Sequence, residues 1–202
     1  GLPGDENSNN DMIERSIKAV GIVSMPVSQN FESEFPPAGW TILDRSGTSS
    51  WTWTTSMYRS STHSAQVSYD WLHNTDDWLV LAPIDMSAGS IINWAYYEAQ
   101  EQWATHGMRH SFYVSTDIYF DPATATPFVV QTPGDHTIAG FSGDPVVFDL
   151  SAYAGNANVW LAFRQENPQG PYTEYWWIDD VSVLNALNAD AGTYSINSPI
   201  RG

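Results

Sequence analysis

The nine residues WWIDDVSVL (176–184) decide how this chain is read. Aromatic and β-branched side chains dominate them, the types that suit a pleated, half-buried surface, and neither Gly nor Pro interrupts the run. Strict alternation places Trp177, Asp179, Val181 and Val183 on one face of a strand, and Trp176, Ile178, Asp180 and Ser182 on the other. Whichever face is buried, a carboxylate lies among large apolar groups, which is costly unless it is paired or bound to metal. Arg164 is a candidate ion-pair partner, and a metal ion is the alternative.

Working outward, short β-favouring segments recur at Trp40–Leu43, Ser50–Thr54, Ala65–Tyr69, Trp78–Leu81, Ser90–Tyr97, His110–Ser115, Phe128–Gln131, Val146–Leu150 and Asn158–Arg164. Turn signals separate them: Pro36-Pro37, Ser46-Gly47, Ala88-Gly89, Pro133-Gly134, Gly143-Asp144-Pro145 and Asn167-Pro168. Many short strands at regular spacing, with almost no helical period, predict an all-β sandwich of two antiparallel sheets. Residues 1–12 have the composition of a tail. Within 13–27, the stretch Ile17–Val23 reads as an extra strand. The expected division is an N-terminal tail (1–27), a sandwich (28–184) and a C-terminal tail or linker (185–202). The chain opens at Gly1 rather than Met, and no targeting is read from its start.

Seven Lys and Arg against 23 Asp and Glu give a formal net charge of −16, which would repel a phosphate backbone or an anionic membrane surface. No apolar run approaches the length of a membrane-spanning helix. There is no cysteine, so disulfides and thiolate chemistry are excluded. Few charges with many hydroxyls, amides and aromatics suggest an extracellular protein. Without disulfides, such a protein is stabilised by its core or by a cation; so acidic a chain favours Ca²⁺, which takes oxygen ligands.

Catalytic motifs are missing. His106 and His110 lack the glutamate of a zinc-peptidase helix, and read more simply as surface histidines beside a loop. Gly140-Phe141-Ser142-Gly143 has the wrong spacing for a nucleophile elbow. Glu98 and Glu101 are the one candidate glycosidase pair, with a solvated loop as the plainer reading. Among the aromatics, Trp40, Trp78, Trp160 and Trp177 sit in apolar contexts and are expected in the core. Trp51 and Trp53 share a strand face among Ser and Thr, while Trp71, Trp103, Tyr172 and Tyr175 lie in loops or at strand margins. These six are the candidate ligand-binding residues, because an exposed ring with a polar tip offers contact area at low entropic cost.

The runs NFESEFPPAGWTILD (30–44), Trp51, His63-Ser64, DDWLVLAPIDM (76–86), WAYYEAQ (94–100), RHSFYVSTD (109–117), DLSAYAGNANVWLAFRQEN (149–167) and WWIDDVSV (176–183) follow one another in an order that resembles the cleaved-adhesin domain family, including the choice-of-anchor J group. The resemblance implies a jelly-roll sandwich akin to MAM domains and carbohydrate-binding modules. It also implies a non-catalytic adhesion module of a secreted or surface-anchored bacterial protein, with a glycan or cell-surface protein as ligand. By position it carries structural calcium to Glu32, Asp179 and Asp180. Asp44-Arg45-Ser46-Gly47-Thr48 has lost most of the acidic residues common in the family, and Arg109-His110 replaces its Glu-His. The alternatives are a filament subunit that adds its terminal strands to a neighbouring copy, and a glycan-active hydrolase.

Overall fold

The computed structural model describes residues 21–46, 50–70, 72–102, 108–132, 140–141, 143–167 and 174–186. Two sheets face each other. One has the order β10 (Pro127–Gln131), β9 (Arg109–Ser115), β12 (Trp160–Asn167), β6 (Thr75–Val80) and β3 (Thr41–Asp44). The other has the order β11 (Val146–Asp149), β8 (Ile92–Gln102), β13 (Glu174–Asn185), β5 (Ser64–Ser68) and β4 (Thr52–Thr54), with β2 (Val27–Gln29) also paired to β13. All pairings within both sheets are antiparallel. A short parallel pair, β1 (Val23–Ser24) with β7 (Ile84–Asp85), lies beside them. The all-β jelly-roll expectation holds.

Alternation within each strand builds the core. Inward-facing Trp94, Tyr96, Trp176 and Ile178 of one sheet meet Leu79, Phe112, Leu161 and Phe163 of the other, all fully buried. The rings meet mostly at an angle: Trp94 and Phe163 at 4.9 Å and 67°, Phe112 and Trp176 at 5.9 Å and 89°. Each buried large side chain contributes roughly 1.5–3 kcal/mol from leaving water.

Three expectations are corrected here. The alternation read along WWIDDVSVL breaks, because the register of β13 against β8 shifts between Asp179 and Ser182. Asp180 takes a φ of 48° at this irregularity. One extra residue reverses the faces beyond it, as a bulge does, so Val181 and Val183 join the core instead of sharing the face of Trp177. The sandwich also begins earlier than residue 28: Val23 pairs with Ile84 and Val27 with Val183. β13 runs on to Asn185, one residue into the stretch assigned to the C-terminal tail. Residues 1–20 lie outside the described residues, and with them most of the expected Ile17–Val23 strand. Arg164 pairs with Asp76 (2.7 Å) and with Glu166, not with the 179–180 doublet.

One part of the interior is polar. Gln131, His110, Gln165 and Asp77 stand abreast across the five-stranded sheet, all buried. The other sheet contributes buried Glu98, Gln100 and Glu174. His110, expected at the surface, is 4% exposed and bridges the two sheets. Its ring stacks on Trp176 (3.9 Å, 8°), its Nε2 lies 2.9 Å from Glu174 Oε1, and Gln100 Nε2 lies 3.3 Å from its Nδ1. A charged or polar group withdrawn from water needs such partners.

Candidate binding face

Glu98 and Glu101 are in β8 rather than in a loop. Three residues apart on a strand, they point to opposite faces. Glu98 is buried and accepts a bond from Trp176 Nε1 (2.9 Å), while Glu101 is exposed on the outer side. They do not flank a common cleft, so the glycosidase pairing fails on geometry. Burial and the neighbouring Glu98 carboxylate push the phenol of Tyr96 well above its ordinary value.

The outer face of the six-stranded sheet is where aromatic and polar groups converge. Tyr175 and Trp177, two apart on β13, point away from the core and stack at 5.4 Å and 22°. Tyr69, just past β5, meets Tyr175 edge-on at 5.3 Å. Trp177 is 5% exposed and buttresses the half-buried Tyr175; its Nε1–H donates to Gln66 Oε1 at 3.0 Å. Exposed Thr52 and Glu101 continue the rows occupied by Gln66 and Tyr175. Further along, the guanidinium of Arg59 lies 4.1 Å above the ring of Tyr97, in cation–π contact. A hydrogen bond with Tyr69 and partial burial raise the Tyr175 hydroxyl above its ordinary value. The face thus offers half-buried rings edged by an amide, hydroxyls, a carboxylate and a guanidinium, the groups that hydrogen-bond hydroxyls and stack on C–H surfaces.

Of the six residues expected to bind ligand, Tyr175 lies on this face. Trp51 does not, because it is core: 2% exposed, packed 5.3 Å from Trp176, with Nε1–H donating to the Asp77 carbonyl at 3.3 Å. Trp53 is 41% exposed at the sheet margin, with one side covered by His63 (4.2 Å) and its Nε1–H bonded to the Phe31 carbonyl at 2.6 Å. Trp71, Trp103 and Tyr172 lie outside the described residues. Sequence reasoning missed Tyr69, Gln66, Arg59 and Tyr97, and placed Trp177 in the core. The signal available for Trp177 was its two-residue spacing from Tyr175. Of the other tryptophans expected in the core, Trp40 is buried there, Trp78 is buried on the outer side of the five-stranded sheet beneath Arg164, and Trp160 is half-buried.

The acidic residues expected to hold calcium grip one loop from two sides. Glu32 accepts bonds from the backbone N–H of Thr62 (3.0 Å) and His63 (2.8 Å) and from the Thr62 hydroxyl (2.9 Å). Partial burial opposes its ionisation, but these bonds outweigh that and bring its carboxyl down to about 2. Asp179, 0% exposed, accepts from the N–H groups of Arg59 (2.8 Å), Ser60 (3.1 Å) and Asp180 (2.7 Å). Burial prevails over these bonds, and with the adjacent Asp180 charge it raises Asp179 to about 6. Asp180 accepts from the Ser60 hydroxyl at 2.6 Å. In donor chemistry the set fits a hard cation: three carboxylates on residues 59–63, with His63 as their one ion-pair partner among the described residues. As placed, the oxygens of Glu32 and Asp179 serve N–H and O–H donors. Among the described residues no three His, Asp or Glu side chains gather as a metal-holding group.

Two sheets enclosing an aromatic core define a β-sandwich. No family model matches the chain. Over 196 residues it is 24% identical to Hemagglutinin A of Porphyromonas gingivalis, covering 84% of this chain but 7% of that protein. The chain therefore spans less than a tenth of that relative's length. Among solved structures, the K3 cleaved adhesin domain of Lys-gingipain from Porphyromonas gingivalis is similar at a TM-score of 0.58 and 16% identity, over 78% of this chain and 97% of that one. TmCBM61, solved in complex with β-1,4-galactotriose, is similar at 0.54 and 13%, over 78% and 94%. These likenesses establish the fold.

Proposed function

We propose that this chain is a non-catalytic binding module of a secreted or surface-displayed protein, and that it holds a glycan on the outer face of its six-stranded sheet. The observation that carries this is the Tyr69–Tyr175–Trp177 cluster, set on regular strands and edged by Gln66, Glu101 and Arg59. Rigid strands hold such groups in place before the ligand arrives, which lowers the entropic cost of binding. The likeness to a module solved with a galactan oligosaccharide and to cleaved adhesin domains supports the reading. So does the relation to a hemagglutinin, which also favours secretion or surface display. Among the described residues, no helix is long and apolar enough to cross a membrane.

Calcium belongs to this proposal as a stabiliser. Glu32, Asp179 and Asp180 are the residues that would hold it, and its charge would offset theirs beside the loop that carries Arg59. The strand-addition alternative has less support, because Val23 and Val27 pair within their own chain. A glycan array probed with the wild type and with Tyr175→Ala tests the reading. Binding to a defined set of glycans that the variant loses supports it. Absence of binding to any glycan, or binding unchanged in the variant, overturns it.

A further inference from the structure

A concave site lies apart from the Tyr69–Tyr175–Trp177 cluster, none of whose residues line it. A cleft of about 280 Å³ opens between the N-terminal strands and the segment leading into β3. Val27, Trp40 and Leu81 line its apolar part; Ser28, Gln29 and Glu34 line its polar part. Its walls are fixed by the fold. β2 is pinned to β13 through the pairs Val27↔Val183 and Gln29↔Val181. Trp40 is held by its N–H bond to the Pro37 carbonyl (2.9 Å) and by edge-on packing against Phe31 at 5.8 Å. Val23 N–H bonds to the Pro83 carbonyl at 2.9 Å, closing the far side.

The lining chemistry narrows the occupant. Among the described residues no Lys, Arg or His borders the cleft while Glu34 does, so the described lining favours an uncharged ligand over a phosphate, sulfate or carboxylate. An indole margin with aliphatic neighbours suits the C–H face of a sugar ring. The Glu34 carboxylate accepts from hydroxyls, and the serine hydroxyls both donate and accept. Gln29 spends its Oε1 on the Phe31 N–H (2.6 Å), leaving its amide N–H groups to donate. The volume lies just below the roughly 300 Å³ at which small-molecule sites begin, a size that matches one sugar ring. We propose that this cleft binds a single neutral pyranose, as a site independent of the outer face. From Val183 to Tyr175 is eight residues along β13, or roughly 26 Å at strand rise, so one short ligand does not reach both.

The inference does not rest on the glycan reading of the outer face, and its test separates the two. Amide chemical shifts of the labelled protein are followed while glucose, galactose, mannose, xylose and N-acetylglucosamine are added in turn. Saturable shifts at Ser28, Gln29 and Ala38 with at least one sugar are expected. Ala38→Trp, which fills the cleft from an exposed position, should abolish them without lowering the melting temperature. Glu34→Ala should weaken binding about tenfold, the worth of one hydrogen bond to a charged group. Shifts confined to Tyr69, Tyr97 and Tyr175 overturn the cleft site and leave the outer-face reading standing. No shift at the cleft residues with any of these sugars, or shifts there that survive Ala38→Trp, also overturns it.

Discussion

The two faces of the six-stranded sheet are built from the same strands and the same residue types, yet they do different work. Trp176 and Tyr96 point inward and meet other rings at an angle, with Phe112 and Phe163 between the sheets. Their sequence neighbours Trp177, Tyr175 and Tyr97 point outward and meet an amide, a hydroxyl and a guanidinium. Adjacent residues on a strand share no neighbours, so the role of a ring is set by its cross-strand partners. Inside, rings stabilise by displacing water from one another. Outside, they keep a surface that a ligand can still cover.

The largest expected effect breaks the inner face. Phe163→Ala removes a fully buried ring that touches Trp51, Trp94, Tyr96 and Trp176, and should cost about 3–5 kcal/mol in urea unfolding. A loss below about 1 kcal/mol would mean that this cluster does not organise the core. The proposed calcium comes next, because it would act on the loop that frames the outer face. If the ion binds Glu32, Asp179 and Asp180, saturation at a hundred times its dissociation constant adds about 2.7 kcal/mol. That corresponds to a rise of very roughly 5–10 °C in melting temperature, removed by EDTA and absent in Asp180→Ala. Identical melting curves with calcium and with EDTA would remove calcium from the account.

Tyr175→Ala should do the reverse of Phe163→Ala. It should lower glycan affinity about tenfold or more while changing stability by about 1 kcal/mol or less, because the ring is half-buried and its buttress stays. Equal losses in both measurements would erase the distinction between the faces.

The smallest effect concerns pH. Asp179 binds its proton more tightly in the fold, at about 6, than at its ordinary value of 3.8. Its protonation therefore contributes stability that is complete below the ordinary value and is lost as pH rises through about 6. Glu32 works in the opposite sense: held at about 2, it contributes stability above its ordinary 4.5 that is lost as pH falls towards 2. Melting temperature should rise modestly between about pH 7 and about pH 5, then fall in stronger acid. Asp179→Asn should flatten the rise; a rise unchanged in that variant would show that another group carries it.

Much of this architecture was legible in the chain because burial and strand period coincide. Ile42, Val67, Leu79, Phe112 and Phe163 lie in strands close to those expected, since β-branched and aromatic residues between turn signals have few other ways to bury themselves. β8 is longer than expected for a definite reason. In its second half, Glu98 and Gln100 join the polar interior, while on the outer face Ala99 is covered and Glu101 meets solvent, so no apolar alternation marks it. The irregularity at Asp179–Asp180 was hidden because it exists only in the pairing of β13 with β8. The proposed binding face was half legible. Tyr175 stood out by composition, whereas Tyr69, Gln66 and Arg59 reach it only through register and loop packing, which no single segment encodes.

The pairing of β2 with β13 governs how this fold would bear tension. β2 and β13 run antiparallel, with Val27 opposite Val183, so the chain passes into β2 beside the point where it nears the end of β13. A pull applied through those two points would not shear the strands along their length. It would load the Val27↔Val183, Ser28↔Ser182 and Gln29↔Val181 pairs in turn, like a zip. Just beyond the last of these pairs, buried Phe31 packs on Trp40 and Glu32 grips Thr62 and His63, and there such an opening would meet strong resistance from side chains. A module tethered at both points would yield at its edge under tension while its aromatic interior stayed closed.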